Sequence, residues 1–119
     1  MFQDRKVDIM GTEYTVEFVE KYPEHLSDFE ETADALCNSQ NRAIYVKLNN
    51  DKGMTEQGKK RLYNKNLRHE IIHAFLYESG LSANTYGHMG AWAENEEIVD
   101  WFAIQSPKIF KTFKEVDCL

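Results

Sequence analysis

Apolar and polar positions alternate in two short stretches near the start of the chain: Val7 and Ile9, then Tyr14, Val16 and Phe18. That period of two predicts a pair of strands within residues 6–18, with Gly11-Thr12 as the turn between them. A polar break over residues 20–24 contains Pro23. Ser27-Asp28-Phe29-Glu30 then has the form of a capping box and predicts a short helix over residues 28–36. Asn38-Ser39-Gln40-Asn41 is turn chemistry, and the β-rich run Arg42 to Leu48 follows it, so residues 36–48 read as a hairpin. The period then changes. Leu67, Ile71, Ala74 and Phe75 recur at three- and four-residue steps, in a segment that Thr55 can cap and Gly80 can close. They predict a helix over residues 56–79 with those four side chains as its buried stripe. Asn66, His69 and His73 form a polar stripe beside them. A loop over residues 80–90 leads to a last helix over 91–105, stopped by Pro107, on which Trp92 and Trp101 are expected to anchor packing.

Together these elements predict one α+β domain over residues 1–119: a short antiparallel sheet packed against a long helix, with a second helix alongside. The 119 residues, 42% of them hydrophobic, suffice for one core and are too few for two ordinary domains. With 20 acidic against 14 basic residues the net charge is −6, which argues against direct, non-specific nucleic-acid binding. Lys59-Lys60-Arg61 and the acidic run from Glu94 to Glu97 read as solvated helix faces. Cys37 and Cys118 are far apart and form no C-x-x-C pair, so a reduced, cytoplasmic protein is expected, with Cys37 a small buried apolar residue. No apolar stretch follows the charged N-terminus, so no secretory signal is expected. The apolar runs are too short to cross a bilayer.

The chemistry is concentrated in His69-Glu70-Ile71-Ile72-His73, an H-E-x-x-H pentapeptide on the long helix. Two imidazoles four residues apart project from one face, one turn apart, and can reach a single tetrahedral metal ion. Glu70 lies about 100° round the helix from His69, where it can hold a water beside the metal. A catalytic zinc site wants three protein ligands and one open position. Glu96, on the last helix, is the candidate third ligand, with Glu97 as fallback. Asp100, one turn after Glu96, is placed to accept the Nδ1–H of a ligand histidine.

His69-Glu70-Ile71-Ile72-His73 together with Asn95-Glu96 and Asp100 resembles the gluzincins, the thermolysin-like zinc metallopeptidases. In that family the first helix gives two ligands, and an N-E-x-x-x-D helix gives the third and a supporting aspartate. The resemblance implies His69, His73 and Glu96 as ligands of one Zn2+ per chain, Glu70 as catalytic base and Asp100 as the partner of a ligand histidine. The stretches 68–76 and 96–103, with the hairpin at Gly11-Thr12-Glu13-Tyr14, are similar to the minimal zincin-like metallopeptidases encoded by bacteriophages and prophages. Larger gluzincins add a C-terminal subdomain carrying a transition-state histidine, for which this chain is expected to be too short.

The resemblance therefore implies a zincin-like fold and hydrolysis of a peptide bond by metal-activated water, with Glu70 as general base. The expected partner is a polypeptide substrate, by analogy a phage or host regulatory protein. Candidates to stabilise the oxyanion are Tyr86 and His88 in the loop between the metal helices, and Tyr63 or Tyr77 on the first helix. Arg42 to Leu48 is the candidate sheet edge for adding a substrate strand, unless Ile44 and Val46 are core. The competing expectation is a non-catalytic zinc-binding interaction module. A closed structural site would need a fourth ligand from His25, His88, Cys37 or Cys118, none of which has short ligand spacing to His69 or His73. An ordinary helical face without metal ranks below both.

Overall fold

The computed structural model describes residues 2–26, 32–84, 95–115 and 117. Within them lie β1 (Arg5–Ile9), β2 (Thr12–Val19), β3 (Ala35–Asn38), β4 (Ala43–Lys47), α1 (Glu56–Glu78), α2 (Leu81–Asn84) and α3 (Glu96–Glu115). The fold is α+β, with one four-stranded mixed sheet in the order β1-β2-β4-β3.

β1 and β2 form the first expected hairpin. Its turn is Met10-Gly11, one residue earlier than the sequence pattern placed it. Both turn residues have positive φ (53° and 88°), the conformation that suits the twist of a two-residue hairpin. β3 and β4 form the second hairpin. The two hairpins join through β2 and β4, which run parallel. The sheet is thus mixed rather than antiparallel, and β4 is an inner strand, not an edge. Its composition explains the position. Ala43, Ile44, Tyr45 and Val46 are all buried, so this run has both faces covered and belongs between neighbours. Ile44 and Val46 pack with Tyr14, Val16, Tyr63, Leu67 and Ala74. Ala43 and Tyr45 turn to a second cluster with Tyr22, Leu26 and Leu36.

The capping-box residues 27–31 lie outside the described residues. The end of the helix expected over 28–36 is instead the start of β3, because Ala35 and Leu36 pair with Val46 and Tyr45.

α1 begins and ends where its caps predict. Thr55 Oγ1 accepts from Gly58 N at 3.0 Å, and Gly80 follows the helix with φ +86°. Tyr63 ties the preceding loop to the helix. Its hydroxyl accepts from Asn49 N at 2.6 Å and donates to Asn49 O at 3.3 Å. Tyr14, fully buried in β2, donates to Glu78 at 2.7 Å and fastens the other end of α1 to the sheet. Of the expected buried stripe, Leu67 and Ala74 are buried, Ile71 is partly so, and Phe75 is 43% exposed. Tyr63, Asn66 and Glu70 are buried on α1 as well, and Tyr63 joins Leu67 and Ala74 in the core against the sheet.

α3 contradicts the expected stop at Pro107, which lies inside the helix. A proline removes one helical N–H and leaves the carbonyl four residues earlier without its donor. Here that carbonyl belongs to Ala103, and Arg68 Nε on α1 donates to it at 2.6 Å. The helix continues because the lost bond is replaced from outside. Val99 and Ala103 are fully buried where α3 meets α1, whereas Trp101 is 56% exposed and is no packing anchor. Trp92 lies outside the described residues. Among the described residues no helix is long and apolar enough to cross a membrane.

Ile44 has no exposed surface and sits where sheet and helix meet. Ile44→Ala is expected to cost about 2–5 kcal/mol of unfolding free energy in urea titration. A loss below about 1 kcal/mol would show that this position is not core.

Candidate metal centre

The site lies between α1 and α3, facing β3. His69 and His73, one turn apart on α1, bring their Nε2 atoms to 3.2 Å. Glu96 is the first residue of α3. Its position follows from Asn95, whose side chain caps the helix by accepting from Ile98 N at 3.1 Å. Glu96 Oε2 lies 3.0 Å from His69 Nε2, and Oε1 lies 2.9 Å from His73 Nε2. Asp100, one turn on, places Oδ1 3.2 Å from His69 Nδ1. His69, His73 and Glu96 are the only described residues that form a group able to hold a metal ion. Glu97, the fallback ligand, lies outside it. Glu96 is 69% exposed at its side chain, and the two imidazoles are largely covered.

Hydrogen-bond logic limits the states of this cluster. A carboxylate only accepts, so Asp100 takes the Nδ1 hydrogen of His69. His69 Nε2 then meets Glu96 either with a second proton, as imidazolium, or with a lone pair turned toward a shared cation. Two imidazoles and one carboxylate are a donor set that could hold a metal ion. In this structure the three groups meet at hydrogen-bond distances, 2.9–3.2 Å.

Glu70 is buried on α1 beside this group. Burial, with the Glu96 charge adding to it and Lys65 opposing, pushes its carboxyl from the usual 4.5 up to about 8. Burial likewise holds His73 below its ordinary value, with Glu96 acting in the opposite sense. Lys65, one turn before His69, lies 3.6 Å from Asp100 Oδ1.

An open cavity of about 440 Å3 adjoins the site, lined by Ala35, Leu36, Cys37 and Ser39 with Glu70, His73, Tyr77, Ser82 and Glu96. β3 is therefore both the sheet edge and a wall of this cavity. A polar cavity of about 180 Å3 on the other side is lined by Lys65, Asn66, His69, Glu70 and Asp100, among others. Asn66 Nδ2 is buried there and meets no acceptor among the described residues. Cys37 is a free, part-buried thiol. Burial first, then the charges of Glu70 and Glu78, raise it to about 12, so it rests as the neutral thiol.

Tyr77 lines the cavity. Tyr63 does not, being buried in the core and bonded to Asn49. Tyr86, His88 and Cys118 lie outside the described residues. His25 is exposed and belongs to no metal-holding group among the described residues. Sequence reasoning missed Lys65 and Arg68. Lys65 carried a usable signal, since it falls one turn before His69 on the same face. Arg68 carried none, because its acceptor is a backbone carbonyl on another helix.

No family model, no curated protein and no solved structure matches this chain.

The Glu70 shift has a consequence in the metal-free protein. Folded Glu70 keeps its proton up to about pH 8, while the unfolded chain gives it up near 4.5. Its contribution to stability is thus fully present below the lower value and lost as pH rises to the higher. His73, held low, acts in the opposite direction, so the comparison that isolates Glu70 is wild type against Glu70→Gln. With chelator present, thermal unfolding should show the variant gaining on wild type between pH 4.5 and about 8. A constant difference across that range would contradict the buried-carboxyl account.

Proposed function

We propose that this chain is a minimal zincin-like metallopeptidase that holds one zinc ion on His69, His73 and Glu96 and hydrolyses a peptide bond, with Glu70 as general base. The observation that carries the reading is the meeting of both Nε2 atoms with the Glu96 carboxylate, beside a cavity that a buried Glu70 also lines. A purely structural site has no use for that extra carboxylate, and it closes its fourth position with Cys or His.

When bound, zinc supplies a Lewis acid that polarises an amide carbonyl and acidifies water. The chain's own residues supply the rest. Asp100 fixes the tautomer and orientation of His69. Glu70, whose ionised form the charge of bound zinc favours, accepts a proton from the attacking water and passes it to the departing amide nitrogen. Tyr77 on the cavity wall, or Tyr86 or His88, supplies a hydrogen bond to the developing oxyanion. The outer edge of β3 offers backbone N–H and C=O groups to an extended polypeptide lying in the cavity. A phage or host regulatory protein in the cytoplasm is the proposed class of substrate.

A second reading keeps the zinc and drops the chemistry, as an interaction module on the same fold. Exposed apolar side chains on α1 and α3 favour it, among them Phe75, Ile98, Trp101 and Phe102.

Purified wild-type protein should carry about one zinc per chain by elemental analysis, and His73→Ala or Glu96→Ala should lose it. Glu70→Gln should keep the zinc and lower the cleavage of an unstructured protein such as casein by at least about 100-fold. Cleavage that survives Glu70→Gln would refute the general-base role. Full zinc without any cleavage by wild type would favour the interaction module.

A further inference from the structure

Pro107 makes one carbonyl of α3 different from its neighbours. Carbonyls in a helix interior are ordinarily bonded within the helix and offer little to a second helix. Ala103 O has no such donor, because residue 107 has no N–H, and Ala103 is fully buried against α1. Arg68 Nε reaches this carbonyl at 2.6 Å. Apolar contacts such as those of Val99 and Ala103 would by themselves tolerate a slide of one helix along the other. A directional bond to the one acceptor that proline has freed does not. The positions bear directly on the site. Arg68 immediately precedes His69, and Ala103 follows Asp100 by one turn and Glu96 by two, on the same face of α3.

We propose that Arg68, Ala103 and Pro107 form an interhelical latch that sets the register of α3 on α1. It thereby holds Glu96 and Asp100 at their distances from His69 and His73. Arg68 is a positioning residue, acting through the backbone of α3. The effect on metal affinity rests on the metal-centre reading above, whereas the effect on register does not.

Two variants separate the bond from bulk and charge. Arg68→Met puts a methyl group where Nε stood, and Arg68→Gln puts an amide N–H there. Both remove the charge. Zinc affinity is read by competition with a chromophoric chelator. Register is read, with or without metal, from the Nδ1–H resonance of His69, which the bond to Asp100 moves downfield.

Arg68→Met is expected to weaken zinc binding about tenfold and to lose the downfield resonance, while Arg68→Gln keeps the resonance and stays within about twofold of wild type. Adding Pro107→Ala to Arg68→Met gives Ala103 O a helical donor again. The unfolding midpoint should then recover by several degrees while zinc affinity stays low. Recovery of both together, or an Arg68→Gln variant as weak as Arg68→Met, would overturn the latch. If wild type takes up no zinc, the metal reading fails, and the latch stands or falls on the histidine resonance.

Discussion

His69 is held between two carboxylates, and the rest of the site follows from how it answers them. Asp100 engages Nδ1 and Glu96 faces Nε2, with His73 Nε2 beside it. A neutral imidazole has one hydrogen and one lone pair, so it can satisfy one acceptor and must bring its lone pair to the other. A second proton or a cation resolves that conflict. A cation resolves it for His73 and Glu96 at the same time, which is why the proposal of a zinc centre starts here. The partly covered imidazoles and the exposed Glu96 leave the cluster open toward the cavity beside β3.

Everything else in the fold keeps those few atoms in place. Side chains of β2 and β4 form the surface on which α1 rests. Thr55 starts α1, the Tyr14–Glu78 bond fastens its end, and Tyr63 ties down the loop before it. Buried positions on α1 are partly polar, and these are the site's own residues. Asn66 and Glu70 give up hydration that apolar residues would not need. Burial beside the Glu96 charge disfavours the ionised form of Glu70, so in the metal-free protein its contribution to stability falls as pH rises from 4.5 to about 8.

Local rules were legible in the sequence wherever they acted alone. The Thr55 cap, the Gly80 stop and the existence of both hairpins are determined by neighbours a turn or two away, and the structure has them, with the first turn shifted by one residue and β3 beginning at Ala35. Pro107 was misread because the rule that proline ends a helix assumes that no outside donor replaces the missing N–H. Arg68 provides one from 35 residues away. The parallel pairing of β2 with β4 was equally hidden. Alternation within a strand tells which face is buried but not which strand lies beside it. Cys37 and Ala35 reached the cavity wall only because β3 took the edge, so no local pattern could place them there. The apolar Phe75 and Trp101 were read as buried on hydrophobicity alone, yet a helix has only one face to give to its neighbours.

The central claim is that two imidazoles and one carboxylate grip a single zinc ion. X-ray absorption at the zinc edge of the loaded wild-type chain tests it most directly. Two imidazole nitrogens and carboxylate or water oxygens at about 2.0–2.1 Å, with no sulfur, are the expected shell. A sulfur scatterer near 2.3 Å, which would bring Cys37 or Cys118 into the site, or a shell with fewer than two imidazoles, would contradict it.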